Sequence, residues 1–227
     1  MPSEMLRLKI TVEEYDRQHY QMVRQLVSDL IALKVHRRFR LTRRLENRSR
    51  LDSEKIEETE MHDLKNKISS IVDSNFRLDA DYIQSQQWSA VPVESGSHFD
   101  DADMNRLASA IGKSGAQRLN AFLLENIRDV PEHLVLEASV DGLQEFNRTC
   151  AHFNFAICPD DLSFLVICTT YDYFVIAGSR DFVESALGTA ISTARDRFDD
   201  FASDEGDEEP TSVLHQIASR YKEASLS

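Results

Sequence analysis

The sixteen residues Ser163–Gly178, SFLVICTTYDYFVIAG, constrain the fold more than any other stretch of the chain. Phe164, Val166 and Cys168 form one alternating set, and Leu165, Ile167 and Thr169 the other. A strand with one wet face alternates apolar with polar residues, so this run is expected to be buried on both faces. It is too long for one strand of about five or six residues. Thr170, Tyr171 and Asp172 offer the place to turn, although they lack Asn-Gly or Asp-Gly. A hairpin is expected there, with one bent strand as the alternative. Ser179 is a natural N-cap and Asp181 suits the first turn of a helix. Phe182, Val183, Ala186, Leu187, Ala190, Ile191, Ala194, Phe198 and Phe201 follow at helical spacing.

The other segments are arranged around this core. Thr11-Val12-Glu13-Glu14 has the form of a capping box. Helical patterns run from Tyr15 to Val35 and from Ile56 to Phe76, with no Pro or Gly between Ser3 and Val91. Two long helices with a short join predict an antiparallel hairpin over 1–83, with apolar stripes wide enough to need a further layer, either the C-terminal domain or a second copy of the chain. Residues 84–100, with Pro92 and Gly96, read as a linker. An α+β domain is expected over 101–202. In it a helix ends near Gly112, and a second runs from a Ser114/Gln117 capping box through Leu119, Phe122, Leu123 and Ile127. A short strand at 133–137, a helix from Val140, and a strand or turn at Phe155–Cys158 lead into the central run. The order β-α-β-β-α predicts a small sheet covered by helices on one face. An acidic linker over 203–210 and a short helix within 211–227 close the chain.

Charge divides the chain unevenly. Residues 1–90 carry 16 Lys or Arg against 15 Asp or Glu, whereas residues 91–227 carry 10 against 24. An acidic half disfavours nucleic acid and anionic membranes, so such contacts would fall to the first half. No run approaches the roughly 18 apolar residues of a membrane span. MPSEMLRLKI has no secretory pattern. Three cysteines inside apolar segments, Cys150, Cys158 and Cys168, suggest buried thiols in a reducing compartment. A cytoplasmic protein is expected.

The most distinctive charged feature is Lys34, Arg37, Arg38, Arg40, Arg43, Arg44, Arg48 and Arg50, in seventeen residues that hold one acid, Glu46. Arginine takes phosphate or carboxylate by paired hydrogen bonds, so these eight are the candidate contacts to an anionic partner. A solvated helix end is the plainer reading.

Other motifs are weak. Gly112-Lys113-Ser114 lacks the earlier glycine of a phosphate loop: position 107 is Leu107. Arg128-x4-His133 resembles the spacing of some helical ribonucleases, but Pro131 interrupts it. Cys150, His152 and Cys158 do not follow a common structural-zinc spacing. His98, Asp100, Asp101 and Asp103 resemble a hard-metal cluster, but acids before an apolar-periodic segment are ordinary at a helix start. No catalytic, cofactor or metal site is therefore expected. The reading is a non-enzymatic protein-interaction module: a regulator, adaptor or immunity-type inhibitor that assembles through its helical hairpin. The alternative is a nucleic-acid-associated protein using residues 34–50, with weak binding.

Overall fold

A computed structural model describes residues 59–95, 99–127, 130–150, 152–205 and 213–223. The expected N-terminal hairpin falls largely on residues 1–58, outside the described residues, and the chain from Glu60 to Ser227 forms one compact unit. Helices and strands are interspersed through the described residues. They are α1 (residues 59–71), α2 (Ala80–Ser85), β1 (Ser89–Glu94), α3 (Asp101–Ser114), β2 (Arg118–Leu123), β3 (His133–Glu137), α4 (Val140–Cys150), β4 (Phe155–Cys158), β5 (Phe164–Cys168), β6 (Tyr173–Gly178), α5 (Arg180–Leu187), α6 (Ile191–Glu205) and α7 (Val213–Glu223). The strands form one six-stranded sheet in the order β1-β6-β5-β4-β2-β3, antiparallel at every described pairing. The protein is an α+β chain.

The central run forms the hairpin β5–β6, turning through Thr170–Asp172 and pairing Val166 with Ile176 and Ile167 with Val175. Every residue of both strands is buried. The two alternating sets face two different layers. Phe164, Val166, Phe174 and Ile176 pack under α3, α4 and α5, while Leu165, Ile167, Val175 and Ala177 pack against α1, α2 and α7. The sheet is therefore covered on both faces, not one. Val183 and Leu187 meet Val166, Phe174 and Ile176 but belong to a different layer from Ile167 and Val175. Phe182 stacks on Phe164 with ring centroids 4.2 Å apart. On the far face Tyr221 accepts the Leu78 N–H at 3.0 Å and Arg220 donates to the Leu78 carbonyl at 3.0 Å, tying α7 to the turn after α1.

Four segments differ from the sequence reading. The stretch 84–100 contains β1, an edge strand of the sheet, and is not simply a linker. Residues 118–123 are β2, not a helix: α3 ends at Gly115, whose φ of 85° is the left-handed cap that glycine adopts freely. The single long helix after Ser179 is two, α5 and α6, divided at Gly188. Ser203, Asp204 and Glu205, expected in an acidic linker, complete α6.

The break at Gly188 has a spatial result. Ile191 and Ala194, at the start of α6, belong to the layer of α3–α5, and Phe198, one turn on, belongs to the opposite layer. Helix α6 thus passes around the sheet at β1, which it packs against.

Candidate functional site

In an antiparallel ladder, alternate residues exchange N–H and C=O with the neighbouring strand and the rest point theirs away. On β3 the first set is fixed by two bonds flanking the strand: Leu123 N–H to Glu132 C=O at 3.0 Å, and Ala138 N–H to Gln117 C=O at 3.2 Å. With the register Ala121↔Leu134 and Leu119↔Leu136, Leu134 and Leu136 bond to β2. His133, Val135 and Glu137 then turn their backbone groups outward. Among the described residues nothing pairs with the Val135 N–H or C=O, while the Glu137 C=O accepts the Ser139 N–H at 2.9 Å.

Side chains alternate with the same period, so His133, Val135 and Glu137 also share one face. Val135 is 56% exposed, one of three large apolar residues left open among the described ones. Ion pairs lie near the two ends of the strand. Arg118 Nε donates to Asp160 Oδ2 at 2.7 Å, and Lys65 meets Glu132 at 2.5 Å. An apolar centre with a charged rim is the usual anatomy of a protein contact patch.

His133 is held in a defined way. Asn120 Nδ2 donates to Asp160 Oδ1 at 2.8 Å, since a carboxylate can only accept. The Asn120 Oδ1 therefore faces His133 Nε2, 3.0 Å away, and that nitrogen must carry the hydrogen. Nδ1 is left as the acceptor of the neutral ring, which stacks on Phe122 at 4.7 Å. Burial, and then the Lys65 and Arg118 charges, hold the imidazole below its usual range. Burial alone would raise the Asp160 carboxyl; the bonds from Arg118 and Asn120, with the Arg118 charge, outweigh it and lower it.

The opposite edge is partly blocked, at Ala90 and Pro92. The Ser95 N–H to Asp172 C=O bond at 2.9 Å sets the same parity on β1, so Ala90, Pro92 and Glu94 face outward. Pro92 has no N–H to offer. Arg195 Nη2 donates to the Ala90 carbonyl at 3.2 Å. A groove of about 1010 Å³ runs beside this edge, with Phe99 and Phe174 among its walls and Glu94, Asp103, Arg106 and Arg197 among its charges. Asp103 already serves the capping box of α3 and pairs with Arg106. Burial, and next Asp100, push its carboxyl up.

The arginine-rich candidates Lys34, Arg37, Arg38, Arg40, Arg43, Arg44, Arg48 and Arg50 lie outside the described residues. Lys113 bonds Ser185 Oγ at the end of α3, and Ser179 caps α5 through the Phe182 N–H. Cys150 and Cys158 lie in opposite layers. Among the described residues no three His, Cys, Asp or Glu are grouped to hold a metal ion, and no helix is long and apolar enough to cross a membrane. The residues missed from sequence are His133, Val135 and Glu137. Their signal was Val135, a β-branched apolar residue where the wet face of an alternating strand should be polar. No family model, curated protein or solved structure matches the chain.

Proposed function

We propose that this chain is a non-enzymatic protein-interaction module that receives an extended segment along the outer edge of β3. The observation carrying the reading is the outward backbone of Val135, unpaired among the described residues beneath an exposed apolar side chain. Strand addition of this kind draws affinity from main-chain bonds and selectivity from alternate side chains. A regulator or adaptor needs no more than such an edge.

The test is selection of displayed extended peptides on the full chain, repeated on Val135→Pro. Proline removes the outward N–H but breaks no bond to β2. Binders to the wild-type chain that slow amide exchange at His133, Val135 and Glu137 and are lost on Val135→Pro support the reading. Binders that ignore the substitution contradict it, as does a β3 edge that neither a peptide nor any other chain protects. The Arg-rich segment 34–50 supports a second reading, weak contact with nucleic acid. Its test is binding that falls steeply as salt rises and is lost when those arginines become glutamine.

A further inference from the structure

Strand β3 reads His133-Leu134-Val135-Leu136-Glu137, nearly a palindrome about Val135. Consider a second strand of the same sequence laid antiparallel on its open edge, with a two-fold axis through Val135. Leu134 then lies opposite Leu136, and His133 opposite Glu137, once on each side of the axis. The backbone parity agrees with this register. Val135 points its N–H and C=O outward, so the two Val135 residues form a bonded pair that exchanges both hydrogen bonds. The Glu137 carbonyl keeps its bond from Ser139 and Gly142 stands against it, so the shared ladder is centred on the Val135 pair.

The side chains agree as well. The two exposed Val135 side chains meet on one face. On the other, half-buried Leu134 meets Leu136, extending the apolar layer across the junction. An imidazole faces a carboxylate at each end, and no like charges are opposed. A slip of one residue would turn the faces over, and a slip of two would set Val135 against a polar residue. A foreign strand has no reason to match this pattern, whereas the chain matches itself.

We infer that the occupant of the β3 edge is a second copy of this chain, joining two six-stranded sheets into one continuous antiparallel sheet about a two-fold axis. Such an interface is isologous and closes on itself, leaving the blocked β1 edges outermost. The inference rests on the reading of β3 as a docking edge, and replaces an unspecified partner with a stated one.

On the axis residue 135 faces itself, and this gives a test that only a two-fold contact passes. Val135→Lys and Val135→Glu each oppose like charges, while a mixture opposes lysine to glutamate. Val135 is exposed in the single chain, so both variants should still fold, read as a wild-type circular dichroism spectrum, with a melting temperature lower only by what the lost association contributed. Sedimentation of the full chain at micromolar concentrations should show a wild-type dimer. Each variant alone should associate about tenfold more weakly or worse, and the equimolar mixture should recover the dimer. A monomeric wild-type chain, a dimer that both variants retain, or a mixture that stays monomeric overturns the inference. If the wild-type chain is monomeric yet selected extended peptides still protect the Val135 amide, the docking-edge reading stands and only the second copy is lost. If neither chain nor peptide binds there, both fall.

Discussion

The sheet ends in β1 on one side and β3 on the other, and the two edges receive opposite treatment. Their outward residues, Ala90, Pro92 and Glu94 against His133, Val135 and Glu137, occupy equivalent positions in the ladder. At β1 the central donor is removed by proline, the Ala90 carbonyl is taken by Arg195, and α6 passes around the strand. At β3 the central residue is valine, with its backbone unpaired among the described residues. Proteins commonly blunt strand edges with proline, charge, bulges or a covering helix, because an open edge templates pairing. This chain uses two of these devices at β1. The difference teaches that an open edge has to be judged against its sister: the sequence can block an edge, and does so on one side.

The largest test of the comparison removes the cover. Phe198 is 2% exposed, on the turn of α6 that has crossed to the far layer. Phe198→Ala should cost about 3–5 kcal/mol, read as a lower urea midpoint, and should speed amide exchange in β1 ahead of β3. An unchanged midpoint would mean that α6 does not secure the β1 side.

Next in size is the junction that ends β3. A Cβ on Gly142 would lie 2.0 Å from the Glu137 carbonyl oxygen, so α4 starts against the strand only because that residue lacks one. Gly142→Ala should cost about 1–3 kcal/mol through overpacking, despite the better helix propensity of alanine. Exchange at Glu137 should rise while that of β1 stays fixed. A stabilised variant would show that β3 and α4 yield easily.

The smallest effect is electrostatic. The folded pKa of His133 lies below its ordinary 6.5 because burial, with Lys65 and Arg118, disfavours the imidazolium. The unfolded chain therefore binds the proton more readily than the folded one. The stability this contributes is complete above about pH 6.5 and is lost as pH falls through the lower folded value. Between pH 7.5 and 5.5 the wild-type urea midpoint should fall further than that of His133→Gln. Equal slopes would remove His133 from the account.

The core was legible because Phe164–Cys168 and Tyr173–Gly178 are apolar on both alternating sets, a pattern that one sheet face cannot satisfy. The turn at Thr170–Asp172 followed from length alone. Residues 118–123 misled because Leu119, Phe122, Leu123 and Ile127 fit helical spacing, and six residues cannot separate the two periods. Pro92 argued against a strand at 89–94, although proline is at home where its missing N–H would face away from the sheet. Of the β3 edge only a hint was legible, Val135 on a face that should be polar. His133–Glu137 announced a strand, but which of its backbone groups stay unpaired depends on strand order, and that order is set by contacts between residues far apart in sequence.

The three cysteines have a use that follows from where they lie. Cys150, at the end of α4, and Cys168, on β5, are buried in the core under α3–α5, and Cys158 in the core of the opposite layer. Burial pushes the Cys150 thiol up to about 11 and the other two further still, so none is reactive while its cover is in place. A thiol-labelling reagent would thus act as a clock with two hands. Modification at Cys158 times the lifting of one layer, and modification at Cys150 and Cys168 times the lifting of the other. The unaltered chain can therefore report whether its two halves come apart together or in turn.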